Sequence, residues 1–450
     1  LREAVNGQLG VIRPSGYSFF LRLFQWLPHP LLAVTTAQHL MGVAVAVIVY
    51  GLLRYWGLPA WGACLATLPT LFDSHQLALE SYILPDTLFC LVIVAATALL
   101  LTKRTPGPWQ CGLAALLLAY AAVLRGNGLP LTVVVAIFLL IRRVGWHALT
   151  AAAAAFAVPF GGYLLAFHAE YGRLNITESD GIFLWSRTTT FANCAVIKPP
   201  ADLLPLCPNR ERSVARTSPA APWSVTALLS EPTPSDYLWA PDVWWRTDAH
   251  PGINPANDAL ARRFALRAIE AQPASYARVV AENVLLTFWT TDRPQRVSDM
   301  TFTASPRIAR LPRYYQHDIK LYAQTTSNTH AVHPWSYFML LYQQPVYFPG
   351  VIFLLVVLAG LVLVIRDWRR LGGMQLLPWG LAAVSILSPA MLTGSLYRYT
   401  IVAIPLSCLA LGLAVAQLRR SPAGGAPAHE APAPSQAESQ PARQASSDLA

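Results

Sequence analysis

Three arginines from separate parts of the chain could together hold an anion: Arg13 in Arg-Pro-Ser-Gly-Tyr, Arg125 in Arg-Gly-Asn-Gly and Arg398 in Tyr-Arg-Tyr. A guanidinium grips phosphate through a two-pronged fork of hydrogen bonds. Gly16, Gly126 and Gly128 beside them lack the side chain that would keep a backbone N–H from an anion. Carboxylates are scarce in the same regions, which makes Asp73, Glu80 and Asp86 conspicuous. Asp73 and Glu80 are seven apart, so a helix reaching that far sets them on one face and His75 on another. Glu80 has the chemistry of a general base or of a group that orients a hydroxyl. Asp73 with His75 has that of a second acid or a metal ligand. Asp86 follows Pro85 and reads as a helix start, where the helix dipole favours a carboxylate.

Each of these has a plainer reading beside it. Arginines at a bilayer surface snorkel, glycine turns between spans are ordinary, and the shortage of lysine (Lys103, Lys198 and Lys320 only) fits a high-GC coding sequence as well as phosphate binding. Trp244 and Trp245, with Tyr237 and Trp239 just before, could stack on sugar rings or simply form an apolar patch. Asn175-Ile-Thr is a glycosylation sequon too short to decide anything. No CxxC or HExxH spacing occurs, so no metal site is assigned, although the carboxylates leave room for a divalent cation.

The elements that must position these residues are membrane helices. The 450 residues are 54% hydrophobic and 12% charged, with a mean hydropathy of +0.40, whereas soluble chains are roughly 25% charged. Apolar stretches of span length exclude a β-barrel, whose strands alternate over about ten residues. Spans are predicted near 31–53, 58–79, 86–102, 108–124, 128–141, 145–168, 345–365, 371–393 and 399–418. Arg54, Lys103 with Arg104, Arg142 with Arg143, Arg366 with Arg369 and Arg370, and Arg419 with Arg420 all fall on one side, which is therefore cytoplasmic.

The predicted fold class is an all-α polytopic bundle with one large extracytoplasmic insertion of mixed structure. Residues 1–30 close an outer loop, 31–168 form an N-terminal bundle, 169–344 the outer region and 345–420 the C-terminal helices. The rest, 421–450, is alanine, proline, serine and glutamine without aromatics and reads as a disordered cytoplasmic tail. The outer region holds seven of fourteen tryptophans, and within it Ala259–Ala271 and Pro273–Trp289 read as helices, the second lying along the membrane surface. Cys194 and Cys207, its only cysteines, are expected to form a disulfide in an oxidising compartment. Cys64, Cys90, Cys111 and Cys408 are apolar fillers in spans. Basic residues are not clustered with aromatics in a soluble domain, so nucleic acid is no partner. The chain opens on Leu1 with its first thirty residues outside, which suggests an upstream span or a cleaved signal peptide.

The order of these features resembles the GT-C fold integral membrane glycosyltransferases, the broad group that contains protein mannosyltransferases and aminoarabinose transferases. Arg13-Pro-Ser-Gly-Tyr looks like the segment that closes the family's first outer loop, and Glu80-Ser-Tyr like its Ser-Glu-x-Leu segment. Leu124-Arg125-Gly126 resembles its leucine-x-arginine-proline turn, with glycine replacing proline, and Tyr397-Arg-Tyr followed by Pro405 its C-terminal motif. The resemblance covers roughly 11–168 and 345–418. An acidic residue essential in the family's first outer loop has no counterpart here beyond Glu3, so it lies upstream or is missing.

What the resemblance implies is transfer of a sugar from a polyprenyl-phosphate donor to a glycan, lipid or protein acceptor at the outer face of the plasma membrane. Arg125 and Arg398 would hold the lipid phosphate with Arg13 as helper, and Glu80 with Asp73 would supply the carboxylates. A flippase for lipid-linked sugars would use the same arginines without a base but would show repeat symmetry or midplane charges, which the sequence lacks. A non-catalytic scaffold would leave the arginines dispensable.

Overall fold

A computed structural model describes residues 1–208, 233–240, 242–250, 252–289, 302, 313–323, 332–370, 372–394 and 397–420. Every regular element among them is helical. Two short helices, α1 (Arg2–Asn6) and α2 (Gly16–Arg22), precede the long α3 (Pro30–Tyr55). The N-terminal bundle continues through α4 (Ala60–Phe72), α5 (Ser74–Ser81), α6 (Asp86–Leu101), α7 (Pro108–Leu124), α8 (Gly128–Ile141) and α9 (Trp146–Tyr171). The segment expected to lie outside, called the outer unit below, carries α10 (Asp180–Thr188), α11 (Cys194–Ile197), α12 (Pro234–Leu238), α13 (Pro255–Ala271), α14 (Pro273–Trp289), α15 (Arg313–Ala323) and α16 (Trp335–Tyr342). Last come α17 (Gly350–Arg366), α18 (Leu376–Leu392) and α19 (Ala403–Arg420).

All nine expected apolar segments are helical, but their lengths differ from a uniform set of spans. α3, α9 and α19 are long and apolar enough to cross a membrane, and α5 with α6, bent by 113° at the break between them, makes a fourth if taken as one span. α4, α7, α8, α17 and α18 are apolar helices of 13 to 17 residues. Several long apolar helices mark the chain as a multi-pass membrane protein. The expected span 58–79 is broken in two: Pro69 weakens the last turn of α4, and the Asp73 side chain accepts the Gln76 N–H and starts α5 afresh.

Local sequence sets most other ends. Prolines open α3, α7, α13 and α14 where a missing N–H costs nothing, and Gly172 ends α9 in the left-handed conformation. α7 lies along α9 and α6, α3 against α4 and α6, and α19 against α18, α17, α4 and α3, so the N- and C-terminal helices share one core. Lipid offers no hydrophobic drive between helices, so small residues at close crossings matter more here than in water. Gly412 of α19 is such a position: a Cβ there would meet the Leu53 side chain at 2.6 Å.

The outer unit has its own core, built from Ile182, Trp185, Leu203, Leu206, Trp244 and Phe264. The sequence suggested mixed structure for this insertion; its described part contains helices and no strand. α14, expected along the membrane surface, is held by the C-terminal helices. It rests on α17 and α18, with Phe288 buried and its ring 5.2 Å from that of Phe353. Residues 209–232 and the expected tail 421–450 lie outside the described residues.

Candidate functional site

Arg125 is the residue that ends α7, with an extended backbone. The turn after it brings the Gly128 N–H back to the Arg125 carbonyl at 2.9 Å and launches α8. The side chain points inward, where a guanidinium nitrogen pairs with Asp86 Oδ1, a carboxylate 1% exposed on the first turn of α6. Asp86 is thus more than a helix-start residue: one side chain stabilises both the α6 dipole and a buried cation. Arg125 also sits over the Tyr399 ring, 4.6 Å from its centroid, and over Phe89 at 5.7 Å.

The same tyrosine receives Arg398. Its guanidinium carbon is 5.0 Å from the Tyr399 centroid and Nη2 donates to the phenol oxygen at 3.1 Å, while Nε is buried with no hydrogen-bond partner. Both belong to the short 3-10 turn Tyr397–Val402 between α18 and α19. Arg13 completes the group from the loop before α2. That loop is stitched down on both sides: Ser15 N–H donates to the Tyr163 hydroxyl, Ser179 Oγ to the Ile12 carbonyl and Glu178 N–H to the Val11 carbonyl. Arg13 keeps surface open to solvent, yet protein crowds its guanidinium within electrostatic reach of Arg398, Tyr399, Arg125 and Asp86. Burial first, then the like charges of Arg398 and Arg125, pushes Arg13 below the usual arginine range. A guanidinium nonetheless stays charged at any ordinary pH.

The structure therefore brings together all three arginines expected to converge and, among the described residues, sets one carboxylate, Asp86, with them. Three cations against one anion repel one another in a partly buried place, and a bound anion relieves that repulsion. The glycines behave less uniformly. A Cβ on Gly16 would stand 2.6 Å from the Val123 carbonyl oxygen and one on Gly128 2.5 Å from Ala121, so both serve helix packing; only Gly126 has open space around it.

The two expected carboxylates part company. Asp73 is a structural cap: Oδ1 accepts from Gln76 N–H at 2.9 Å and Oδ2 from Phe348 N–H at 2.7 Å. Ser74 N–H to the Val346 carbonyl and the Tyr342 hydroxyl to the Phe72 carbonyl bind the same junction to the chain leading into α17. Glu80, on the last turn of α5 and 3% exposed, accepts from Gln76 Nε2 at 2.6 Å and lies 2.7 Å from His39 Nδ1. Gln76 thus bridges both acids. Gln38, beside His39 on α3, donates to the Glu80 and Tyr82 carbonyls and accepts from the Tyr17 hydroxyl. His75 is buried beside Asp73 on a cavity of about 10 Å³, enough for roughly one water.

Asp86 stands out in the sequence but reads there as a helix start, and His39 does not stand out at all. An acid after proline at an apolar run could signal the first, but nothing in the apolar periodicity of 31–53 singles out His39. Among the described residues no three His, Cys, Asp or Glu side chains are placed to share a cation. Cys194 and Cys207 are joined in a disulfide beside the outer core, close to a cavity of about 260 Å³ lined by Trp185, Tyr237, Trp244 and Asp242. Trp244 and Trp245 are both buried and form part of that core.

Fold and site together define a class: an all-α, multi-pass membrane protein with a cluster of arginines where helices from both halves meet. Comparison with family models, with curated proteins and with solved structures finds no match to this chain.

Proposed function

We propose that the protein is a glycosyltransferase that moves a sugar from a polyprenyl-phosphate donor to a hydroxyl acceptor at the outer face of the membrane. The observation that carries this reading is the arginine cluster, three cations drawn from three parts of the chain around one carboxylate. Arg398 Nε, buried without a partner, has a donor to give. Leaving-group charge grows on the lipid phosphate as the glycosidic bond breaks, and donors fixed in a poorly hydrated place stabilise that charge most. Asp86 holds Arg125 in position, and Tyr399 keeps Arg125 and Arg398 side by side. Glu80 is the carboxylate that serves the acceptor; Asp73, with both oxygens held by backbone N–H groups, fixes the α4–α5 break. The sugar and the identity of the acceptor are set by contacts that neither the arginines nor Glu80 make.

Native mass spectrometry of the detergent-purified protein with added polyprenyl phosphate tests the reading. Wild type should retain the lipid and Arg398→Ala should release it, a variant that strands no buried carboxylate. A wild-type protein without affinity for polyprenyl phosphate would overturn the proposal.

A further inference from the structure

Glu80 does not face an incoming substrate. One of its oxygens accepts from Gln76, the other is covered by the His39 ring, and a Cβ on Gly42 would stand only 2.0 Å from Oε1. The carboxylate is 3% exposed while the His39 side chain is 44% exposed, so of the two it is the imidazole that stands at the surface of the protein. A neutral imidazole carries one proton, and the nitrogen facing a carboxylate is the one that keeps it. With Nδ1 2.7 Å from Glu80 Oε2, Nε2 is left as the acceptor. Ser81 Oγ lies 3.4 Å from Nε2 but donates its proton to the Leu77 carbonyl at 3.0 Å, so it does not occupy that lone pair as a donor.

We infer that His39 Nε2, oriented by Glu80, is the base that takes the acceptor's proton. The inference rests on the glycosyltransferase reading. As the acceptor O–H passes its proton to Nε2, the oxygen bonds to the anomeric carbon and the bond from that carbon to the phosphate oxygen breaks. The electron pair leaves with the lipid phosphate, and the imidazolium, stabilised beside the Glu80 carboxylate, then gives its proton to water. His39 is a catalytic residue on this view and Glu80 a positioning residue.

Single-turnover transfer in lipid nanodiscs, measured across pH with polyprenyl-phosphate binding measured in parallel, tests this. His39→Gln should lower the transfer rate about 10²- to 10⁴-fold, the usual worth of a general base, with lipid affinity unchanged and the acid limb of the pH profile gone. His39→Gly should recover transfer when imidazole is added, which a merely structural histidine would not do. Glu80→Gln, which leaves Nδ1–H an uncharged acceptor, should lower the transfer rate by less than His39→Gln does, with lipid affinity again unchanged. Full transfer by His39→Gln alongside an inactive Glu80→Gln overturns the inference and returns the proton to the carboxylate. Failure of wild type to bind polyprenyl phosphate is a different result: it sinks the transferase reading and with it any base.

Discussion

The outer unit and the mouth of the bundle both bury ionisable side chains, and Asp258 in the first is held in the opposite way from the arginines in the second, with Glu178 of the outer unit as an exception. In the outer unit Asp258 is 3% exposed and fully engaged: it accepts from the N–H groups of Gly181 and Ile182 at 2.6 and 3.1 Å and lies 3.6 Å from Arg262. Arg263 pairs with Asp202 across the same unit. At the mouth Arg125 has Asp86, but Arg398 has only a phenol and Arg13 no ion-pair partner among the described residues. Charge that is matched at home holds a fold together; charge left over calls for something from outside. That contrast, more than burial alone, is what the proposed anion site rests on.

The largest expected effect comes from removing the one matched arginine at the mouth. Arg125→Ala should abolish polyprenyl-phosphate binding and also destabilise the protein by about 3–5 kcal/mol, because Asp86 is left buried and alone. Arg398→Ala should weaken binding roughly 10- to 100-fold, the worth of a charge-assisted contact, with the unfolding midpoint unmoved. Equal losses of stability in the two variants would erase the distinction between matched and surplus charge; thermal melts beside a binding titration decide it.

Opening the Cys194–Cys207 disulfide by a double alanine substitution should cost the outer unit about 3 kcal/mol, the loop-entropy value for a closure of this size. Lipid-phosphate affinity should stay the same. Limited proteolysis and native mass spectrometry read the two sides, and a parallel loss of affinity would show that the outer unit shapes the mouth. Asp258→Ala follows at about 1–3 kcal/mol, since two buried N–H groups lose their acceptor, again without effect on binding.

The smallest effect tests a buried acid that is not well matched. Glu178 is 1% exposed, and neither of its oxygens has a hydrogen bond; Arg173 is 4.0 Å away. Burial pushes its carboxyl above the usual range despite Arg173. A carboxyl whose folded value is raised contributes stability below its unfolded value and loses it as pH rises through the folded one. Wild type should therefore gain stability as pH falls from neutral toward that raised value, and Glu178→Gln should lose this gain. Superimposable pH profiles of the two melting curves would contradict it.

The sequence showed more of the fold than of the pairing within the site. Apolar run length located the long helices of the bundle but not the short Gly16–Arg22 and Arg313–Ala323 that pack into the same core, and the arginines stood out because their type is rare at membrane depth. The break at Asp73 was legible and went unread: Asp-Ser-His-Gln carries a capping acid with glutamine three residues on, a helix-start pattern. Reading Asp73 and Glu80 as one face of a continuous helix followed from missing it. Asp86 with Arg125, 39 residues apart, and Glu80 with His39, 41 apart, are tertiary pairs that no local period encodes. In the outer unit the helices through Ala271 and Trp289 and the Cys194–Cys207 pair were legible, whereas the expectation of mixed structure failed because tryptophan and proline content does not separate helix from strand.

The three hydrogen bonds that join residues 72–74 to 342–348 bear on how an amphiphile reaches the arginines. They stitch the seam between the α4–α5 corner and the entry to α17. A head group sliding in sideways from the bilayer, its tail still in the hydrocarbon, would have to part some other pair of helices.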